Sequence, residues 1–287
     1  MPYTLKVIRK NITAQQIRIR GNLIDLSNPK IMGILNLTRD SFYDGGKYYC
    51  INDAITHTQK MLDEGATFID IGVASSKPGS LLIDQYEEKK RLIPYLKTLI
   101  KEFPKTYFSL DTYNSSVAAE GLDIGVSMIN DISGGLLDPK ILSIVGSHKV
   151  PYVMMHMNGT PKKMQSEIYY QDVVQEITYF FSEQLKKASL AGIHDILLDP
   201  GFGFGKSKEH NFTLLKNLNH FNSLSCPILI GVSRKSMIYK TLGFEPNQAL
   251  NGTTALHAWS LDRGAKILRV HDVKEAKECI DLWGELQ

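Results

Sequence analysis

Several short apolar runs in this chain end in a side chain that can do chemistry. Ile196-Leu197-Leu198 delivers Asp199 and then breaks at Pro200, followed by Gly201-Phe202-Gly203-Phe204-Gly205-Lys206. Glycines at such a turn allow positive φ and close approach of backbone to a ligand. A carboxylate ahead of them and aromatics between them suit a flat polar ring. Elsewhere the run ends are Asn36, Asp70 with Gly72, Asp111, Asn130-Asp131, His156, Ser233-Arg234-Lys235 and Arg269-Val270-His271-Asp272. Asp111, Asn130 and Asp199 make an acceptor-rich set, and Arg269 with His271 makes an anion-friendly one. Arg grips phosphate bidentately. Asn36 offers a carbonyl oxygen to a Mg²⁺ brought in with such a phosphate, because Mg²⁺ takes oxygen ligands and keeps several waters. Lys235 is expected over a ring or beside Asp199. No His/Cys/Glu cluster has the spacing of a caged transition-metal site. Each polar end also has an ordinary reading as a cap or a hydrogen-bonded loop residue. A ligand with donors at one end and a phosphate at the other fits the whole set, and a pterin presents adjacent ring N–H and amino groups to one carboxylate.

These residues must be positioned by repeating elements. The runs Ile31–Leu35, Phe68–Ile71, Tyr107–Leu110, Ser127–Ile129, Tyr152–Met155, Ile196–Leu198, Ile228–Ile230 and Ala265–Val270 read as buried strands. Helical stretches Asp53–Glu64, Ile83–Glu102, Ser115–Leu122, Pro139–Val145, Val173–Ala191, Glu209–Leu218, Gln248–Arg263 and Val273–Leu286 alternate with them. Eight strands alternating with eight helices predict an α/β fold of the (β/α)₈ barrel type, whose active site lies where the strands end. An open doubly wound sheet would place nucleotide glycines after the first strand, where Asn36-Leu37-Thr38-Arg39 stands instead. Residues 1–29 read as a small N-terminal β-hairpin extension around Ile17–Asn22, and residues 1–287 as one domain.

The 287 residues are 43% hydrophobic and 22% charged, as in ordinary globular proteins. A net charge of +3 without a Lys/Arg run argues against a nucleic-acid surface. Cys50, Cys226 and Cys279 are odd in number and far apart, which suggests no disulfide framework. No apolar run approaches the roughly 20 residues that span a bilayer, and a cytoplasmic location is expected. His57, His148, His194, His210, His220 and His257 carry no motif and read as surface or helix residues, whereas His156 is expected to orient its loop through a hydrogen bond.

In order along residues 30–285, the chain resembles the dihydropteroate synthase family of pterin-binding enzymes. The matching segments are Asn36–Phe42 with Asp44-Gly45-Gly46, Asp70-Ile71-Gly72 with Ser75-Ser76-Lys77-Pro78-Gly79, Ser109–Tyr113, Ile129-Asn130-Asp131, Met155–Pro161, Asp199–Lys206, Gly231–Ser236 and Arg269–Asp272. The resemblance implies a transferase of folate biosynthesis that joins 6-hydroxymethyl-7,8-dihydropterin pyrophosphate to p-aminobenzoate, with Mg²⁺. It implies that Asp111, Asn130, Asp199 and Lys235 hold the pterin, with Met155, Gly203 and Phe204 lining its slot. Asn36, Arg269 and His271 then take the pyrophosphate and its Mg²⁺. Phe42, Ser75, Ser76, Lys77, Pro78, Phe204, Ser233 and Lys235 shape the p-aminobenzoate site, where sulfonamides would compete. Loops 38–46 and 74–80 are expected to act as lids. A homodimer through Gln248–Arg263 and Val273–Leu286 is also implied. Two rivals are a corrinoid-dependent methyltetrahydrofolate methyltransferase and a pterin-binding protein without catalysis. Ser233-Arg234-Lys235 and Arg269-Val270-His271 speak against the first.

Three positions, Arg39, Ser76 and Lys77, depart from the family pattern, which usually has Pro at 39 and Thr-Arg at 76–77. Arg39 removes a rigid φ from the first lid, and Lys77 keeps a charge without the planar fork of Arg. The double change Arg39→Pro with Lys77→Arg is therefore expected to alter p-aminobenzoate or sulfonamide affinity in a competition assay. Identical affinities would reduce both residues to loop variation.

Overall fold

The computed structural model describes residues 16–37, 50–73, 82–159, 164 and 168–287. Strands β1 (Gln16–Ile19) and β2 (Asn22–Asp25) form an antiparallel hairpin. Its turn has φ of 49° at Arg20 and 78° at Gly21, the positive values that a type I′ turn needs. Eight parallel strands then close a barrel in the order β10-β3-β4-β5-β6-β7-β8-β9. They are β3 (Lys30–Asn36), β4 (Phe68–Gly72), β5 (Tyr107–Asp111), β6 (Met128–Asp131), β7 (Tyr152–Met155), β8 (Ile196–Asp199), β9 (Ile228–Ile230) and β10 (Ala265–Val270). The outer helices are α1 (Ile51–Asp63), α2 (Gln85–Glu102), α3 (Ser115–Ile124), α4 (Lys140–His148), α5 (Val173–Leu190), α6 (Lys208–Lys216), α7 (Ser236–Leu242), α8 (Leu250–Asp262) and α9 (Val273–Gly284). The (β/α)₈ barrel with its small hairpin is the architecture expected from the sequence.

Period-two alternation along each strand explains both the core and the site. One set of side chains, including Ile69, Ile71, Leu110, Ile129, Met154, Leu198 and Leu268, packs outward with the helices. The alternate set, Met32, Phe68, Met128, Val153, Leu197, Leu229 and Ile267, fills the barrel interior as an apolar floor. Two residues further along, the same inward column carries Asp70, Asn130, Met155, Asp199, Gly231 and Arg269. A strand's next side chain on one face is always two residues on, so a single pleat step takes the interior from hydrocarbon to polar chemistry.

The hairpin closes the opposite end. Ile17 and Ile19, with Leu26, pack onto the floor residues and are almost fully buried. Its polar edge is tied down as well. The Arg18 amide donates to Asp195 Oδ1 at 2.9 Å, Arg20 Nη1 to the Pro104 carbonyl at 2.7 Å, and Asn22 Nδ2 to Tyr107 Oη at 3.2 Å.

Two features depart from the expected elements. Helix α7 lies between β9 and α8, where a loop was expected. Its seven residues are too few for a clear helical period. The Glu209–Leu218 stretch divides at Asn217 into α6 and a 3₁₀ segment, Leu218–Leu224. His257 does lie in a helix, but it is buried rather than at the surface. Among the described residues, no helix is long and apolar enough to cross a membrane.

Removing the plug's side chain exposes what it contributes. Ile17→Ala is expected to lower unfolding free energy by about 2–4 kcal/mol, the usual cost of truncating a buried isoleucine. Urea denaturation reads the change, and a loss below about 0.5 kcal/mol, the range of surface substitutions, would show that the hairpin only decorates the barrel.

Candidate active site

The centre of the barrel mouth is one fully buried carboxylate. Asp70 accepts from Arg269 Nε at 2.6 Å, from Ser109 Oγ at 2.6 Å and from Asn130 Nδ2 at 2.9 Å. Arg269 also reaches Asp111, with Nη2 donating to Oδ2 at 2.8 Å. Three strands, β4, β5 and β10, thus share one charge network. The acceptor-rich and anion-friendly sets expected from the sequence are not separate sides, because Arg269 joins them. Its Nη1 has no partner among the described residues, and neither has Asn130 Oδ1. Burial pushes the Asp111 carboxyl up to about 7, with Arg269 pulling it down and Asp70 adding to the rise.

A second group surrounds Asp199. Oδ1 of this carboxylate accepts from the Gly201 amide at 2.7 Å, which fixes its plane. Oδ2 lies 4.0 Å from where a side chain at Gly231 would begin, so the glycine leaves the approach to that oxygen open. Burial raises the Asp199 pKa against the opposing charge of Lys235. Lys235 lies between an aromatic ring and the charge of Asp199. Its ammonium sits 4.4 Å from the centroid of the Phe204 ring, donates to the Phe202 carbonyl, and feels the charge of Asp199. Burial nevertheless lowers its pKa to about 8. Met155 and Phe204 belong to one buried apolar cluster with Tyr113, Ile132, Met157 and Met164. This cluster forms a hydrocarbon wall beside the carboxylates, and Gly203 adjoins it on the same loop.

The third group gathers the ends of β9 and β10. Ser233 Oγ lies 3.0 Å from His271 Nδ1 and accepts from the His271 amide at 3.2 Å. Burial, with Arg269, drives the His271 pKa down to about 4, so the ring is neutral near pH 7. Next to this pair, Arg234 forms a buried two-point ion pair with Asp272, Nε to Oδ2 and Nη2 to Oδ1 both at 2.8 Å. Arg234 has a left-handed φ of 54°, a costly state for a side-chain-bearing residue, and the ion pair helps to hold it.

Asn36 ends β3 half-buried, its side-chain amide without a hydrogen-bond partner among the described residues. Phe42, Ser75, Ser76, Lys77 and Pro78, with Arg39 and both expected lids, lie outside the described residues. Two residues that matter here, Asp70 and Lys206, carry no assigned role in the sequence analysis. Asp70 stood in a matched segment, and the signal was a carboxylate inside the apolar run Phe68-Ile69-Asp70-Ile71. Lys206, which closes the glycine stretch, is buried and bonded to His156 Nδ1 at 3.0 Å. His156 does tie its loop through a hydrogen bond, as expected.

A model of the pterin binding enzyme family matches residues 32–271. The dihydropteroate synthase of Escherichia coli K12 is 41% identical over 263 residues, spanning 91% of this chain and 93% of that protein. The crystal structure of Yersinia pestis dihydropteroate synthase with a sulfonamide drug complex superposes with a TM-score of 0.90 at 40% identity, covering 94% of this chain and 98% of the other. That of Thermus thermophilus dihydropteroate synthase in complex with 6HMPPP gives 0.82 at 34% identity, over 94% and 98% of the two chains. With its barrel, its strand-end network and these similarities, the chain belongs to the pterin-binding enzyme family, among the dihydropteroate synthases.

Proposed function

We propose that this protein condenses 6-hydroxymethyl-7,8-dihydropterin pyrophosphate with p-aminobenzoate to give 7,8-dihydropteroate and pyrophosphate. The observation that carries the reading is the Asp70 network, which couples a guanidinium suited to an anion with the Asn130 amide and Asp111. In this reading Asp199 Oδ2 and Asn130 Oδ1 accept pterin donors, while Met155 and Phe204 pack against the ring. Lys235 lies over Phe204 and adds a donor beside Asp199. Arg269 and His271 hold the pyrophosphate.

As the methylene C–O bond breaks, its electron pair leaves with pyrophosphate. Arg269 and His271 stabilise that growing charge, and such preorganised electrostatics are usually the largest catalytic term. The methylene cation left behind is delocalised into the pterin ring and stabilised by Asp111 and Asp199. The arylamine nitrogen forms the new C–N bond and then gives up a proton. An arylamine is uncharged near neutral pH, so no strong base is needed to prepare it. Phe204, Ser233 and Lys235 are assigned to the p-aminobenzoate side, where sulfonamides compete as analogues.

Mg²⁺ fits as a companion of the substrate rather than as a resident ion. Asn36 offers an oxygen without a partner among the described residues, which also contain no group of three His, Cys, Asp or Glu side chains able to hold a metal. Bound by Asn36 and diphosphate oxygens, Mg²⁺ would supply further charge stabilisation to the leaving group. The protein is further proposed to act in the cytoplasm as a homodimer through α8 and α9, a reading supported by exposed Trp259, Leu282 and Leu286.

Purified protein given Mg²⁺ and the dihydropterin pyrophosphate is expected to release pyrophosphate only when p-aminobenzoate is added, with dihydropteroate identified by mass. Pterin binding without product would leave a binding module, and no pterin binding would remove the site assignment. Asp70→Asn is expected to lower kcat/KM on the order of 100-fold, as small misplacements of catalytic groups do. Circular dichroism verifies that the barrel remains. Activity within twofold of the parent would show that Asp70 organises nothing essential.

A further inference from the structure

Lys206 is buried, carries a charge-bearing group, and has no part in the chemistry above. Its Nζ lies 2.9 Å from the Gly201 carbonyl, 3.0 Å from the Phe204 carbonyl, 3.2 Å from the His156 carbonyl and 3.0 Å from His156 Nδ1. Taking an ammonium out of water costs several kcal/mol. Burial accordingly lowers the Lys206 pKa well below the usual lysine value, opposed by the charge of Asp199 and aided by that of Lys235, while three carbonyl oxygens and one ring nitrogen surround the group. Burial and Lys206 both hold His156 well below its usual pKa. The imidazole is therefore neutral and its Nδ1 is able to accept.

What Lys206 gathers is the loop that carries the pterin-facing groups. Gly201, Gly203 and Gly205 all have positive φ, at 71°, 82° and 65°. Two of them are also pressed against the segment after β7. A Cβ on Gly201 would sit 1.9 Å from the His156 carbonyl oxygen, and one on Gly205 would sit 2.7 Å from Asn158. This close seating leaves the Gly201, Phe204 and His156 carbonyls turned toward one point, where they would repel one another without a cation. Gly201 uses its amide to orient the Asp199 carboxylate, and its carbonyl accepts from the Phe204 amide at 3.1 Å as well as from Lys206. Lys206 thus holds, through the backbone, both the plane of Asp199 and the place of the Phe204 ring. Lys235 grips the same loop from the other side at the Phe202 carbonyl.

We propose that Lys206, with His156 as its partner, is a positioning residue for pterin recognition, acting through the Gly201–Gly205 loop and touching no reacting atom. The inference rests on the placement of the pterin against Asp199 and Phe204 given above. It separates Lys206 from residues that merely stabilise the barrel, because the loop serves the pterin and not the pyrophosphate.

The test is calorimetric binding of two probes, 6-hydroxymethyl-7,8-dihydropterin and inorganic pyrophosphate with Mg²⁺, to the full-length chain and its variants. Lys206→Met, close in length but without charge or donors, is expected to weaken the pterin about tenfold, as loss of support for a binding constellation does. Pyrophosphate affinity stays within twofold. His156→Leu, which removes the ring acceptor together with the ring contacts to Phe180 and Tyr170, shows the same split at about threefold, and His156→Asn, which restores an acceptor but not those ring contacts, recovers it. Parent-like pterin affinity in a folded Lys206→Met protein overturns the proposal, and so does an equal loss for both probes. If Lys206→Met does not fold, His156→Leu decides alone, parent-like pterin affinity again overturning it. Phe204→Ala separates the two layers of the argument. If it leaves pterin affinity unchanged, the pterin placement itself falls and takes the Lys206 proposal with it. If it weakens the pterin while Lys206→Met does not, only the Lys206 proposal falls.

Discussion

The ion pair between Arg269 and Asp70 is the contact on which the rest of the mouth depends. Asp70 is wholly buried, and an isolated carboxylate there would be untenable. It is acceptable because three donors from three other strands converge on it: Arg269, Ser109 and Asn130. The dependence also runs outward. Arg269 is long and has many rotamers, and its bonds to Asp70 at Nε and to Asp111 at Nη2 fix where the guanidinium plane lies. Asn130 is turned by the same carboxylate, so its amide oxygen is presented and not its nitrogen. A buried pair of this kind adds little net stability against a hydrophobic replacement. Its consequence is arrangement, which is what a site that recognises both an anion and a polar ring requires.

The barrel makes such an arrangement affordable by separating stability from chemistry along each strand. Below the network lie Met32, Phe68, Met128, Val153, Leu197, Leu229 and Ile267, sealed from the far end by Ile17 and Ile19 of the hairpin. Water is kept out of the floor, so the charges above it act in a poorly screened setting where their interactions are strong. The same setting accounts for the depressed His271, the lowered Lys235 and the raised Asp111. In each case desolvation is the leading cause and neighbouring charges adjust the result.

Around this rigid mouth the loops are held by side chains rather than by ladders. Arg234 with Asp272 clamps the turn after β9 to the one after β10, and Lys206 clamps the turn after β8 to the segment after β7. Both devices place charge-bearing side chains in buried surroundings. Charged hydrogen bonds are directional, and the turns they hold contain left-handed residues that no regular hydrogen-bond ladder would fix.

Much of this was legible in the amino-acid sequence. The eight apolar runs and their polar ends name the barrel, and the expected strands agree with the observed ones to within one or two residues. Asp111, Asn130, Asp199, Lys235, Arg269 and His271 could be singled out because they stand near or just beyond the ends of apolar runs that read as buried strands. Helix α7 escaped notice because seven residues show no clear period. What tertiary structure alone decided is partnership. Closure of β10 onto β3 brings Arg269 within reach of Asp70 and Asp111, residues 199 and 158 positions away along the chain. Nothing local distinguishes a guanidinium awaiting an anion from one shared between two carboxylates. Lys206 closes the glycine stretch in the sequence, but its partners are set only when the loop folds back on His156. Local sequence sets which residues alternate and where strands stop, whereas the choice of hydrogen-bond partner depends on distances that exist only once the barrel has closed.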